Sequence, residues 1–262
     1  ALDEALEVSE DHPVLLDRFL GGAVEYDVDI LCDGESVYVA GIMEHIEEAG
    51  VHSGDSACVI PPVVLSPANQ EEMIDVATRS ALRLGVVGLM NVQFAVYQDE
   101  VYVIEINPRA SRTVPYVSKA RGVPLARLAT FLCLGKKLSD LGPLPPLALA
   151  GTYFIKAPVF PWGRFDMNDV LLGPEMHSTG EVMGIGRSFG EAYAKALSAA
   201  GQALPDEGGV FISLCDRDKH LVAELAGPLD SMGFKLWATR GTAAALEKAG
   251  IPCEVAFKVK EG

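Results

Sequence analysis

Positive charge is scarce in this chain: its 262 residues carry 21 Lys and Arg against 36 Asp and Glu, for a formal net charge of -15. No Lys/Arg cluster forms the basic stripe that a nucleic-acid groove requires, so no nucleic-acid partner is expected. A nucleotide ligand is still compatible, because backbone N–H groups, a few cations and a metal ion can hold a phosphate chain locally. No apolar run approaches the roughly 20 residues of a membrane span, and no membrane partner is expected. Cysteine is sparse as well. Cys32, Cys58, Cys133, Cys215 and Cys253 are scattered, odd in number and free of any Cys-x-x-Cys pair, which argues against zinc or dithiol chemistry and for reduced thiols in a cytoplasmic protein. An initiator Met and a basic-then-apolar leader are absent too. The opening Ala1-Leu2-Asp3-Glu4-Ala5-Leu6 reads as helix, so the chain is expected to begin inside a domain.

What is present is ordinary globular material, 49% hydrophobic and 22% charged. Residues 13–19 and 24–32 are strand-like, and Asp33-Gly34-Glu35 turns the chain into the apolar run 37–43, giving an antiparallel pair. A polar, glycine-containing loop follows from Glu44 to Ser56, closed by a short apolar run at 57–60. Ser66 caps a helix with Pro67 in its first turn, running to about Leu84. Strands are expected at 88–97 and 100–106, helices at 113–121 and 124–134, and a strand near 153–160 after the break at Pro143-Leu144-Pro145-Pro146. After Gly201 strand and helix alternate: strand 210–214, helix 219–232, strand 234–238, helix 242–249, strand 254–259. That alternation predicts a parallel, Rossmann-like sheet. Only three of its strands precede Gly262, so truncation at both ends of the chain is expected.

The hairpin at 88–107 carries the most chemical information, because its register is testable by asking which pairing keeps apolar residues opposite apolar ones. A two-residue turn at Gln98-Asp99 places Val92 opposite Glu105 and Phe94 opposite Val103. A three-residue connection aligns Val96 with Tyr102, Phe94 with Ile104 and Val92 with Ile106, and is preferred. On the other face it brings Ala95 to Val103, Gln93 to Glu105 and Asn91 to Asn107. One carboxylate and several amide oxygens then converge, a hard-oxygen set that suits magnesium shared with substrate phosphates. Pro108-Arg109-Ala110-Ser111-Arg112 follows, with two guanidinium groups able to fork onto phosphate or carboxylate oxygens. Taken alone, Gln93 and Asn107 are polar residues of a solvent face; the coincidence of register, lone carboxylate and Glu-Ile-Asn-Pro-Arg exit points to a phosphoryl-transfer site. In the loop, backbone N–H groups around Gly50 to Ser53 offer a cradle for phosphate or ribose oxygens.

These motifs resemble the ATP-grasp family and, within it, carbamoyl-phosphate synthetase large chains, over essentially the whole sequence. The resemblance rests on Val14-Leu15-Leu16-Asp17-Arg18-Phe19-Leu20, on Gly41 to Ser56, on Gly88 to Val96, on Glu105-Ile106-Asn107-Pro108-Arg109 and on Leu171-Leu172-Gly173-Pro174-Glu175-Met176. Glu-x-Asn-Pro-Arg marks ATP-grasp enzymes generally, while His52-Ser53-Gly54-Asp55-Ser56 narrows the likeness to the synthetase. The implied fold is α/β: an α+β ATP-grasp C-terminal portion with an antiparallel sheet, then a partial Rossmann-like parallel α/β domain. The implied segments are 1–134, the end of an ATP-grasp domain, 135–200, a connection completing the synthetase unit, and 201–262, part of a methylglyoxal-synthase-like allosteric domain.

The resemblance implies ATP-dependent phosphorylation of carbamate to carbamoyl phosphate, serving arginine and pyrimidine biosynthesis, with ammonia delivered by a small glutamine amidotransferase subunit. Arg18, Leu20, Glu25, Gly50, Val51, His52 and Ser53, with Gln93 and Glu105, would contact ATP. Gln93, Glu105 and Asn107 would bind magnesium or manganese, and Arg109 and Arg112 would hold the phosphoryl group and carbamate. His45 and His52 read as loop structure or ligand contacts rather than proton shuttles. In the last segment Lys219, Thr239, Thr242 and Lys258 would hold a nucleotide effector of UMP or IMP type. Glu47 and Asp55 match acidic positions that recognise ornithine, but Ala157 stands where the family pattern has a further acid. A homo-oligomer is also expected. Two alternatives stay open: another ATP-grasp carboxylate ligase, or a regulatory or assembly piece that turns nothing over.

Overall fold

The computed structural model describes residues 16, 18–149, 151–161 and 171–257. The helix expected at 1–6, most of the strand expected at 13–19, and Lys258 lie outside these residues, and 18–20 form no strand. The chain divides into two compact units, Ala1–Ala203 and Leu204–Gly262.

The first unit is built on one antiparallel sheet. Its strands are β1 (Val24–Asp33), β2 (Val37–His45), β3 (Cys58–Ile60), β4 (Val87–Tyr97), β5 (Glu100–Asn107), β6 (Tyr153–Val159) and β7 (Gly180–Gly186), in the order β5-β4-β1-β2-β3-β6-β7. The β1–β2 turn forms because the Asp33 carboxylate accepts the N–H groups of Glu35 and Ser36, at 2.9 and 2.7 Å, while Gly34 takes a positive φ. Helix α1 (Pro67–Leu84) starts as expected, Ser66 Oγ accepting from Asn69 N at 3.1 Å. Helices α2 (Val114–Arg121) and α3 (Leu125–Cys133) follow the hairpin.

Strand alternation divides the core in two. Val28, Ile30 and Cys32 of β1 face α1 and pack with Met73, Ala77 and Ala81. Leu31 faces the other way and packs with Val117, Leu125 and Leu132 of α2 and α3. Helix α2 approaches closely because Gly41 has no side chain there; a Cβ would sit 2.8 Å from Val117 Cγ1. Going back along the face of Leu31, β1 presents Asp29, Asp27 and Glu25, and β4 presents their partners Asn91, Gln93 and Ala95. One sheet face is therefore apolar beneath α2 and α3 and polar beyond their edge.

Among the described residues of the first unit, strand β7 and helix α4 (Phe189–Ala199) were not anticipated from sequence, nor was the short 3-10 turn Leu138–Leu141. A signal was available in Ser188 and Glu191: Ser188 Oγ caps the helix by accepting from Glu191 N at 3.2 Å, and Glu191 Oε2 accepts from Arg187 N, one residue before the cap, at 2.8 Å. Helix α4 lies so tightly on β7 that a Cβ on Gly184 would fall 2.0 Å from Ala192 O.

The second unit holds the parallel strands β8 (Gly209–Ile212), β9 (Lys235–Thr239) and β10 (Glu254–Ala256), with helices α5 (Val222–Ser231) and α6 (Arg240–Lys248). Its core is Ile212, Val222, Ala226, Leu236, Ala238 and Leu246. Helix α6 begins at Arg240 rather than at Thr242, since Thr239 is already the extended residue before the first turn. The start expected at 219 is a 3-10 turn, Asp216–Leu221, leading into α5. The expected fold class, an antiparallel α+β portion followed by a small parallel α/β unit, is borne out.

Candidate functional site

The β4–β5 hairpin combines the two registers weighed from sequence. At its tip Gln98 and Asp99 both take positive φ, 53° and 63°, making a two-residue turn whose twist matches that of the strands. Phe94 therefore pairs with Val103, Ala95 with Tyr102 and Val96 with Val101. The expected three-residue connection, with Phe94 opposite Ile104, Val96 opposite Tyr102 and Ala95 opposite Val103, is corrected on this point. The register then shifts between Gln93 and Phe94, with Ile104 as the extra residue of a bulge. Beyond the bulge the expected pairs hold: Val92 opposite Ile106, Gln93 opposite Glu105 and Asn91 opposite Asn107. The bulge restores the apolar row and keeps Glu105 on the polar face.

A cleft of about 340 Å³ opens on that face. Gly50, Val51, His52 and Ser53 line it together with Glu105, Asn107, Arg109 and Arg112, and with Glu25 and Gln93. Every ATP-, metal- or phosphoryl-binding residue nominated from sequence lines this cleft except Arg18 and Leu20. Arg18 is exposed and its charge acts on Tyr102; the Leu20 carbonyl accepts from Ala23 N at 3.1 Å. Ile104 also lines the cleft, turned there by the bulge.

The 50–56 loop is held from several sides. Glu25 Oε1 accepts the Gly50 N–H at 3.0 Å, and the buried Lys156 ammonium donates to Ser53 O at 2.9 Å. His52 N donates to Gly173 O at 2.8 Å, and Gly54 N to His52 Nδ1 at 3.0 Å. Asp55, fully buried, accepts the N–H groups of His177 and Ser178 at 2.8 Å each. Burial opposes its charge, yet these donors hold its carboxyl below the usual range. Glu47 accepts from Ala57 N at 2.5 Å, and burial pushes it up. Both of these acids thus engage backbone N–H groups, and Ala157 is buried in the β6–α4 core.

Beneath the cleft lies a polar network that sequence reasoning missed. Asp27 and Asp29, both 1% exposed, share the Asn91 amide, whose Nδ2 donates to an oxygen of each at 3.0 Å. The other Asp27 oxygen meets His45 Nε2 at 2.7 Å, and His45 Nδ1 lies 3.6 Å from Glu25 Oε2. Burial disfavours the charged ring, but the Cys58 sulfur and the Asp27 carboxylate raise its pKa well above the usual histidine range. Burial likewise works against Asp27, whose pKa is nonetheless lowered by the bonds from His45 and Asn91. Asp29 accepts from Ser111 Oγ at 2.8 Å and Thr113 Oγ1 at 2.7 Å, and its pKa is raised to about 6 by burial and then by Asp27. From sequence, Tyr26-Asp27-Val28-Asp29-Ile30 shows only the alternation of a half-exposed strand. The available signal was the pairing of β1 with β4, which sets these acids against Asn91 and Gln93.

At the hairpin exit Asn107 Nδ2 donates to Glu105 Oε1 at 2.6 Å, and Arg109 donates from Nη2 to Asn107 Oδ1 at 3.0 Å. Arg112 donates to Met176 Sδ. Among the described residues no three His, Cys, Asp or Glu side chains form a ready-made metal cage. Glu105 with the Gln93 and Asn107 amides is instead a sparse, hard-oxygen set of the kind magnesium takes, with the Asn107 oxygen here accepting from Arg109.

The second unit has a cleft of about 330 Å³ lined by Ser213, Cys215, Lys219, Thr239, Arg240 and Gly241, among others, at the N-terminus of α6. Thr239 and Lys219 border it. Thr242 is buried, its hydroxyl accepting from Leu214 N at 3.0 Å and from Thr239 Oγ1 at 3.2 Å. Lys219 pairs with Asp216.

Comparison with known proteins gives consistent results. Residues 1–141 match the family model described as carbamoyl-phosphate synthase L chain, ATP binding domain, and residues 221–262 match the MGS-like domain. The carbamoyl phosphate synthase large chain of Rubrobacter xylanophilus is 57% identical over 261 residues, covering 100% of this chain and 25% of that protein. The large chain's C-terminal section from Methanocaldococcus jannaschii is 51% identical over 269 residues, covering 99% of this chain and 44% of that protein. The chain thus spans about a quarter of the first of these relatives and under half of the second. Among solved structures, the biotin carboxylase domain of a single-chain bacterial carboxylase superposes with a TM-score of 0.51 at 21% identity, over 61% of this chain and 36% of that one. That likeness concerns the fold.

Proposed function

The chain belongs to the carbamoyl-phosphate synthase L chain, ATP binding domain family, and from that premise we propose that the first unit's cleft carries phosphoryl transfer from ATP to carbamate. A carbamate oxygen attacks the terminal phosphorus in line; the new O–P bond forms as the bond to the β-phosphate oxygen breaks, giving carbamoyl phosphate and ADP. Such a transfer needs no covalent enzyme intermediate, so the protein contributes position and charge. The observation that carries this reading is the convergence of Glu25, the Gly50–Ser53 loop, Gln93 and the Glu105–Arg112 segment on one cleft.

Each group then has a task. Glu25 fixes the Gly50 amide, so the loop presents its N–H groups to phosphate or ribose oxygens in a set geometry. Arg18 and Leu20 belong to the nucleotide end of the same reading. Arg109, steadied by Asn107, and Arg112 stabilise the charge on the transferring group. Glu105, Gln93 and Asn107 would hold magnesium or manganese, which would supply positive charge to offset that of the phosphates.

The second unit's cleft is proposed as a site for a nucleotide effector of UMP or IMP type. Support comes from Thr239, Arg240 and Lys219 beside a helix N-terminus and from the MGS-like match. Lys258, outside the described residues, is included only from the resemblance, and Thr242 acts through Thr239. The segment bounds at 134 and 200, a small glutaminase partner, a homo-oligomer, a cytoplasmic location and a place in arginine and pyrimidine synthesis are parts of the same proposal. No helix of the described residues is long and apolar enough to cross a membrane.

Calorimetric titration with ATP and magnesium tests the assignment of clefts. Glu105→Ala is expected to weaken magnesium-dependent ATP binding by roughly ten-fold or more, and Thr239→Val to leave it unchanged. The reverse pattern refutes the placement of ATP in the first unit.

A further inference from the structure

We infer that Asp29 is a positioning residue that holds the arginine-bearing segment from Asn107 to Thr113 against the cleft, an inference that rests on the phosphoryl-transfer reading above. Asp29 does not itself line the cleft. It lies directly behind three residues that do, Asn91, Ser111 and Thr113, and accepts a hydrogen bond from the side chain of each. Ser111 and Thr113 flank Arg112, and Arg109 lies two residues before Ser111.

The segment is tied down at both ends. At its start Asn107 pairs with Asn91 across the hairpin, and the Arg109 N–H and guanidinium bond to Asn107. At its end the anchor is Asp29. Asn91 serves both ends, its backbone opposite Asn107 and its side chain on Asp27 and Asp29. One strand residue therefore couples the metal-facing end of the hairpin to the arginine loop.

The Thr113 hydroxyl shows where its interaction has been directed. Thr113 occupies the N-cap position of α2, where a hydroxyl ordinarily accepts from the helix's own first N–H groups. Here it makes no cap bond and donates to Asp29 instead. The Ser111 and Thr113 hydroxyl oxygens stand 2.6 Å apart, side by side on the carboxylate.

The charge environment favours this reading over a packing role. Asp27 has His45 as its cationic partner, and Glu25 lies on the far side of His45. Asp29 receives only neutral donors and has Asp27 beside it, an unfavourable place for a carboxylate. An apolar residue or an amide would fill the space at lower cost. An apolar residue has no acceptor and an amide only one oxygen, whereas the carboxylate gives a separate oxygen to each of two hydroxyls on a loop more than 80 residues away.

Asp29→Ala opens a cavity beside Asp27 and risks misfolding, so the decisive variant is Ser111→Ala with Thr113→Val, which leaves the sheet intact. Thr113→Ser alone retains the donor. The intact protein is assayed for ATP formation from carbamoyl phosphate and ADP with magnesium, and amide hydrogen exchange is followed by mass spectrometry. The double variant is expected to lower kcat by roughly ten-fold or more while the KM for ADP stays within about two-fold, because a misplaced arginine loop harms transfer more than nucleotide binding. Exchange should quicken across 107–113 and stay unchanged in β1 and β4, and Thr113→Ser should restore both readouts. A double variant with kcat within about two-fold of wild type, or with unaltered exchange in 107–113, overturns the inference. If the wild-type protein forms no ATP, the phosphoryl-transfer reading fails by itself, and exchange alone decides whether Asp29 anchors the loop.

Discussion

The two clefts support their polar groups in opposite ways. Beneath the first, Asp27, Asp29 and His45 are buried together, and carboxylates hold the walls: half-buried Glu25 accepts from the Gly50 loop, and Asp29 from Ser111 and Thr113. Around the second, the supporting groups are neutral hydroxyls that satisfy one another, with Thr242 accepting from Leu214 N and Thr239, while the charged Lys219 stands half-buried against an exposed Asp216. A buried ionic floor fixes geometry at a cost in stability, because each carboxylate needs a designated partner. A hydroxyl floor is cheaper and less demanding. The contrast fits the proposed roles, transition-state stabilisation in the first unit and binding alone in the second.

The largest expected break in this contrast is His45→Ala. It leaves Asp27 buried without its cation, and the first unit should lose about 3–5 kcal/mol in urea unfolding at neutral pH. Lys219→Ala, removing a partly exposed pair of the second unit, should cost less than about 1 kcal/mol. Equal losses would erase the distinction between the two floors.

Asp29→Asn should act in the opposite direction. Its folded-state pKa is raised from 3.8 to about 6, so the protonated form is favoured in the fold. The contribution of this group to stability is fully present below pH 3.8 and is lost as pH rises through 6. At neutral pH the ionised carboxylate therefore costs about 3 kcal/mol, and the asparagine variant should be more stable by up to that amount. The gap should open between about pH 4 and 6 and stay flat above. A gap that does not vary with pH would mean that Asp29 is not the strained carboxylate described here.

Thr242→Val should have a smaller effect than either His45→Ala or Asp29→Asn. It removes the acceptor for Leu214 N and Thr239 and should cost about 1–2 kcal/mol in the unfolding of the second unit, without dependence on pH between 4 and 8. A pH-dependent loss there would indicate an ionic component that the hydroxyl network does not contain.

Much of the architecture is legible in residue order. Ser66-Pro67 starts α1, strand and helix alternate after Gly201, and the polar face of the hairpin follows from matching apolar rows. The hairpin also shows the limit. One uniform register had to be chosen from sequence, whereas the chain uses a tight turn at Gln98-Asp99 and recovers the phase with a bulge at Ile104. Bulges cost so little locally that side-chain pattern does not announce them. Asp27 and Asp29 escaped for a different reason: their alternation is that of a solvent face, and only the partnership of β1 with β4, which sets Gln93 and Asn91 opposite them, makes it a floor. Strand β7 and helix α4 were overlooked although Ser188 and Glu191 form a readable cap.

The central claim is that Glu105, opposite Gln93 and beside Asn107, organises phosphoryl transfer in the first unit. The most direct test is magnesium-dependent ATP formation from carbamoyl phosphate and ADP by the intact protein, wild type against Glu105→Ala. The account predicts turnover in the wild type and a loss of roughly a hundred-fold or more in the variant. Turnover that survives Glu105→Ala within about two-fold would contradict it.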